Sequence, residues 1–249
     1  MEKGLKCILI FIVVASLIGG LGLLVWGLTP LGPAEEALAA LESNQNVIVE
    51  DKGDFIVFSP NLITPITGFI LYPGGHVDYR SYAPIAQEIA SHGYMVTIVK
   101  MPLSLAIFGI NKADHVITAY PGIRYWVIGG HSLGGSMAGA YAKDHTNRVE
   151  GVAFWASYPA TGDDLSSANL KGLSTYGSND LVLSMEQYNE TVPLLPAGTI
   201  RQVIHGGNHA QFGNYGLQPG DGTATISAED QQTQAADLTV RLLRAVEGE

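Results

Sequence analysis

Gly130-His131-Ser132-Leu133-Gly134 carries the most definite chemistry in this 249-residue chain. It follows a short apolar run at 125–128 and precedes an Ala/Gly-rich stretch at 132–144 that reads as a helix. A serine in a G-x-S-x-G turn between strand and helix is a nucleophile arrangement. The glycines let the chain turn sharply and approach its neighbours. The turn lifts the Ser132 hydroxyl above a sheet at a helix N-terminus, where developing negative charge is favoured. The competing reading of the same five residues is a glycine-rich turn in which Ser132 is an ordinary helix N-cap.

Serine is a weak nucleophile and needs a base that is itself oriented by an acid. His209, in His205-Gly-Gly-Asn-His209-Ala-Gln-Phe, follows the last predicted strand and is the expected base. His205 competes but falls at the strand end. The expected acid is Asp180, after the strand ending at Tyr176, with Asp163 and Asp164 as alternatives one strand earlier. Acyl transfer also needs two donors for a carbonyl oxygen that becomes negative. The Leu133 N–H is one. The Tyr72-Pro-Gly-Gly75-His76 turn supplies the other, Gly75 by expectation and His76 as the alternative.

These groups need a scaffold that brings strand ends together. Residues 47–50 and 54–58 read as a hairpin around Asp51-Lys-Gly-Asp54. Beyond them strands at 68–72, 94–99, 125–128, 149–155, 172–176 and 200–204 alternate with helical patterns at 82–91, 111–120, 132–144, 184–194 and 227–246. Such alternation predicts an α/β fold with a mostly parallel central sheet and helices on both faces. Each candidate group then sits at the carboxyl end of a strand, where open α/β sheets place their sites.

With these motifs in hand, the sequence resembles the α/β-hydrolase superfamily. It is most similar to a compact, lidless, fold-5-like branch with an N-terminal hydrophobic segment. The resemblance rests on Tyr72–Gly75, Gly129–Gly135 and Gly206–Gly216, read as oxyanion turn, nucleophile elbow and histidine loop. It covers about residues 45–249. It implies the α/β-hydrolase fold and a Ser132, Asp180, His209 triad, but no particular substrate. Some members of the branch are likened to dienelactone hydrolases, which use cysteine, and haloalkane dehalogenases need aspartate. Ser132 departs from both.

The reading is a serine hydrolase, a carboxylesterase for small to medium esters working through an acyl-enzyme without cofactor or metal. Only about 16 residues separate Trp155 from Gly172, too few for a lid domain. The apolar loops at 101–108 and 155–159 should border the site, with Met101, Leu103, Phe108, Trp155 and Tyr158 as substrate-binding candidates. The alternatives are an acyltransferase or amidase with the same triad, and a non-catalytic binding module of the same fold at a membrane.

The N-terminus is of another kind. Cys7 to Leu28 contains no charged residue. That is about the 20 apolar residues a bilayer-spanning helix needs, and longer than a signal-peptide core. Thr29-Pro-Leu-Gly-Pro33 is a poor cleavage site, so a signal anchor at 1–28 is expected, with a secreted, cleaved form as the alternative. Lys3 and Lys6 precede the run, and acids dominate after it. The positive-inside rule then puts the N-terminus in the cytoplasm and the domain outside. Residues 29–45 are expected as a linker with a short helix, and 46–249 as the catalytic domain. With 13 basic and 23 acidic residues, a formal charge of −10 and no basic patch, nucleic acid is not an expected partner. The single cysteine, Cys7, excludes an internal disulfide.

Overall fold

The computed structural model describes residues 2–248; within the first helix the side chains at 2–10, 13, 14, 17 and 18 lie outside the described residues. That helix, α1, runs Glu2–Leu28. Among the described residues no helix is long and apolar enough to cross a membrane. Part of the charge-free run that predicted a span lies outside them.

The segment expected as a linker is packed onto the rest of the chain. Its short helix α2 (Glu35–Ala39) buries Ala37. Ala34 N–H donates to the Asn214 carbonyl (2.7 Å), and Leu31 pairs with Val77 in a parallel bridge.

The expected alternation holds. The elements are β1 (Val47–Asp51), β2 (Phe55–Pro60), β3 (Thr67–Tyr72), α3 (Ala83–Ser91), β4 (Met95–Val99), α4 (Ala113–Ala119), β5 (Tyr125–His131), α5 (Leu133–Asp144), β6 (Gly151–Trp155), β7 (Lys171–Gly177), α6 (Met185–Thr191), β8 (Ile200–Ile204) and α7 (Ala228–Glu247). The eight strands form one sheet in the order β1-β2-β4-β3-β5-β6-β7-β8. β1 pairs antiparallel with β2, and β2 antiparallel with β4. All the other pairings are parallel.

Side-chain parity divides the core. Alternate residues of a strand face opposite sides, so Phe69 and Leu71 of β3 join Ile85, Ile89 and Leu242 of α3 and α7. Ile70 and Tyr72 face the other way, with Val116 of α4 and Tyr141 of α5. β3 is buried at every position, as a central parallel strand covered on both faces must be.

Two helices are shorter than their periodicity predicts. The 111–120 segment opens as a 3₁₀ turn (Ile110–Lys112) before α4. There the Tyr72 hydroxyl donates to the Ile110 carbonyl (2.5 Å) and accepts from Ala113 N–H (2.9 Å). The 184–194 segment ends α6 at Thr191 and closes as a 3₁₀ turn containing Pro193, which has no N–H to continue the helix. Residues 156–170, between β6 and β7, contain no helix, so no lid domain sits there.

Candidate active site

Ser132 ends the turn between β5 and α5 with φ 53° and ψ −124°. A positive φ is costly for a residue with a side chain and is kept where surrounding structure holds it. Two contacts hold it here. Ser132 N–H donates to the Trp155 carbonyl (2.9 Å), and the Ser157 hydroxyl donates to the Ser132 carbonyl (2.7 Å). Gly134 explains the tightness: a Cβ there would lie 2.3 Å from the carbonyl oxygens of both Tyr72 and Pro73. The elbow therefore presses directly on the turn after β3. Ser132 Oγ makes no capping hydrogen bond, which removes the N-cap reading.

His209 and Asp180 meet as a buried pair. Asp180 Oδ2 lies 2.9 Å from His209 Nδ1, and both side chains are almost wholly excluded from solvent. Asp180 Oδ1 accepts from the N–H groups of Val182 (2.9 Å) and Leu183 (2.8 Å). The carboxylate is thus held at both oxygens, with its acceptor face on Nδ1. That contact puts the imidazole proton on Nδ1 and leaves Nε2 as an acceptor. His209 Nε2 is buried and has no hydrogen-bond partner. Ser132 and His209 line the same cavity, of about 270 Å³, with Leu133, Tyr158, Val182 and Leu183. Catalytic hydrogen bonds are often long in unliganded sites and shorten in the complex.

The two expected donors adjoin. A Cβ on Gly75 would lie 3.1 Å from Leu133 Cδ2. Leu133 N–H, at the first position of α5, has no intrahelical acceptor. The three N–H groups of the turn differ. Gly74 N–H donates to the Tyr82 hydroxyl (2.9 Å) and His76 N–H to the Ser104 carbonyl (2.8 Å). The alternative donor, His76, is therefore already engaged, whereas Gly75 N–H is not.

The substrate-binding candidates divide. Tyr158 lines the cavity, its hydroxyl donating to Gln187 of α6. Trp155 does not: it is fully buried between Phe69 and Phe212. One step of strand parity sends it into the core, so its assignment to substrate is corrected. Met101 and Leu103 line a separate cavity of about 400 Å³ beside Gly27 and Leu28 at the end of α1. Phe108 is 54% exposed and lines neither cavity. Asp163 and Asp164 make no contact with His209, which leaves Asp180 alone beside the ring.

Three residues around the site were not anticipated. Tyr82 is buried; its hydroxyl accepts from Gly74 N–H and lies 2.8 Å from His131 Nδ1. Burial pushes the Tyr82 phenol up, so it keeps its proton. With Gly74 as donor to it, Tyr82 gives that proton's hydrogen bond to His131. Burial, reinforced by the neighbouring His209, pushes His131 well below the usual histidine range. Asp221 is the second. Its carboxylate accepts from the N–H groups of Ala210 (2.8 Å), His209 (3.2 Å) and Leu181 (3.4 Å), tying the turn of His209 to the turn of Asp180. Gln231 of α7 is the third, accepting from Asn208 N–H (2.9 Å) and donating to the Asn208 carbonyl (2.8 Å). Asp221 had a visible signal, as the one acid in the long 213–225 loop. Tyr82 and Gln231 had none, because their partners are far away in sequence.

Among the described residues no group of His, Cys, Asp and Glu is placed to hold a metal ion. No curated protein matches the chain. A profile described as the alpha/beta hydrolase family matches residues 68–233, more than half the chain, from β3 through the elbow and both turns into α7. The chain therefore belongs to the alpha/beta hydrolase family.

Proposed function

We propose that this hydrolase-family chain is a serine esterase acting on small to medium carboxylic esters. The observation that carries the reading is the buried His209–Asp180 pair, whose unpartnered Nε2 borders the cavity that Ser132 also lines. Ser132 Oγ attacks the ester carbonyl while His209 Nε2 takes the hydroxyl proton. The carbonyl oxygen becomes negative against the N–H groups of Leu133 and Gly75. Each such donor is worth roughly 3–4 kcal/mol to the transition state. His209 then passes its proton to the leaving alcohol, and Ser132 carries the acyl group. Water, activated by the same histidine, releases the acid and restores the serine. Asp180 keeps the proton on Nδ1 and stabilises the charged ring; it takes no proton itself.

A cavity of about 270 Å³ lies just below the roughly 300–1,000 Å³ usual for drug-sized ligands. It favours short acyl groups against the apolar wall of Val182, Leu183 and Tyr158. Attachment to a membrane through residues 1–28, N-terminus inside, belongs to the same proposal. It rests on the charge-free run and the preceding lysines, and extraction of the full chain from membranes by detergent but not by carbonate tests it.

The test of the chemistry is covalent. The full chain is treated with a fluorophosphonate and its intact mass read beside Ser132→Ala. A single adduct on the wild type and none on the variant is expected. Ester turnover should then fall by roughly 10⁴ or more in the variant. A folded wild-type chain that takes no adduct refutes the reading. Products formed with added alcohols or amines distinguish hydrolysis from acyl transfer.

A further inference from the structure

The turn after β3 is held from two sides. On its inner side Gly74 N–H is bound by Tyr82, and Gly75 packs against Leu133. Its outer side meets the end of α1. The His76 ring lies flat on the Trp26 indole, with centroids 4.0 Å apart and planes within 4°. His76 Nε2 lies 2.8 Å from the Trp26 carbonyl. That carbonyl is in the last turn of α1 and also accepts from the N–H (3.1 Å) and the hydroxyl (3.2 Å) of Thr29, so His76 joins the cap that closes the helix. The backbone of His76 is tied to the same region, its N–H donating to the Ser104 carbonyl (2.8 Å) and its carbonyl accepting from Leu31 N–H (2.9 Å). The Ser104 hydroxyl in turn donates to the Gly27 carbonyl (3.1 Å).

The conformation held there is an unfavourable one. His76, Leu103 and Ser104 have φ of 58°, 52° and 56°. Such residues cost on the order of 1–3 kcal/mol each and persist only where their surroundings over-determine them. The end of α1 is a large part of those surroundings. Gly27 is what lets it approach: a Cβ there would lie 2.8 Å from Leu103 Cβ and 3.0 Å from the Leu103 carbonyl.

From this geometry we infer that the end of α1 is a positioning element of the site, with Trp26 fixing the Gly75 N–H through His76. The inference rests on the esterase reading above. An oxyanion donor must stand about 2.7–3.1 Å from where the charge develops. The Gly75 carbonyl and the His76 N–H form one peptide unit, so a His76 that leaves the left-handed region shifts Gly75 and carries its N–H, one peptide unit back, out of that range. The oxyanion exists only in the transition state and intermediate. Loosening its donor therefore lowers kcat and leaves KM nearly unchanged.

The test uses the full chain in detergent micelles with p-nitrophenyl butyrate, with fluorophosphonate labelling read in parallel. The variants are Trp26→Ala, Trp26→Phe, His76→Ala and the Trp26→Ala/His76→Ala double, with Leu24→Ala as an exposed control on the same helix. Rates are normalised to the folded fraction taken from thermal unfolding. We expect Trp26→Ala and His76→Ala each to lose about tenfold in kcat with KM within twofold. The double should lose little more than either single, because both act through one contact. Trp26→Phe, which keeps a flat ring on His76, should recover most of the rate, and Leu24→Ala should match the wild type. Wild-type kcat in Trp26→Ala overturns the inference. So does a loss fully accounted for by unfolded protein, or a Trp26→Phe no better than the alanine. A wild-type chain that takes no fluorophosphonate overturns the esterase reading and this inference together. Normal wild-type labelling with no effect of Trp26→Ala overturns this inference alone.

Discussion

Tyr82→Phe removes one oxygen atom and tests how the elbow is joined to the turn that faces it. Tyr82 is fully buried, and its hydroxyl accepts from Gly74 N–H at 2.9 Å and lies 2.8 Å from His131 Nδ1. Phenylalanine keeps the ring, so almost no cavity forms. What remains is an N–H and a ring nitrogen, both buried and both without a partner. His131 is already short of one, since its Nε2 is unpaired. An orphaned buried polar group costs about 1–3 kcal/mol, so the pair should cost about 2–6 kcal/mol. At roughly 2–4 °C per kcal/mol for a chain of this size, the unfolding midpoint should fall by about 4–24 °C. Urea unfolding followed by tryptophan fluorescence should show a lower midpoint at an unchanged slope. The same substitution releases Gly74, the residue before the proposed donor, so kcat toward p-nitrophenyl butyrate should drop about tenfold with KM little altered. Stability within about 0.5 kcal/mol of wild type, the ordinary scatter of a neutral surface change, would refute the reasoning. The Gly74–Tyr82–His131 connection would then hold nothing.

Asp221→Ala takes away the acceptor shared by the His209, Ala210 and Leu181 N–H groups. Fluorophosphonate labelling should slow by about ten- to a hundredfold, as expected when a catalytic group loses its position, and labelling at the wild-type rate would count against this role for the 213–225 loop. His131 gives a pH signature. Burial holds its folded pKa well below the ordinary 6.5, so the unfolded chain takes up the proton first. The resulting loss of stability is absent above about pH 6.5 and grows as pH falls below it, by up to about 1.4 kcal/mol per unit. His131→Gln should flatten the stability–pH curve between pH 6.5 and 5 relative to wild type, and parallel curves would sink the argument.

Membership of the alpha/beta hydrolase family places the chain's strands before it assigns its chemistry. The parallel pairing of β3 with β5 and, through β6, with β7 and β8 puts their carboxyl ends on one side of the sheet, and the turns there carry Gly75, Ser132, Asp180 and His209. Two of those turns are then strapped by one side chain, Asp221. The long polar loop thereby acquires a structural purpose.

The local features were legible in the residues. Gly130 and Gly134 around Ser132 announce a sharp strand-to-helix turn, and Ser227 with Asp230 announces the start of α7, where the Ser227 hydroxyl accepts from Asp230 N–H. The parallel sheet follows from apolar runs alternating with helical spacing. These are properties of φ, ψ and short-range periodicity, which neighbouring residues set among themselves. Other questions turned on atoms distant in sequence. Trp155 and Tyr158 are three residues apart, yet parity at the end of β6 puts one in the core and the other at the cavity. The residues offer Gly75 as the expected donor with His76 as the alternative, and it is the Ser104 carbonyl, from another loop, that takes the His76 N–H. Tyr82 and Gln231 have no local signature at all, because each is defined by a partner that only the strand order brings near. Chain-local geometry is encoded in adjacent residues, whereas the spare hydrogen-bonding groups of a site are known only once distant loops have claimed the rest.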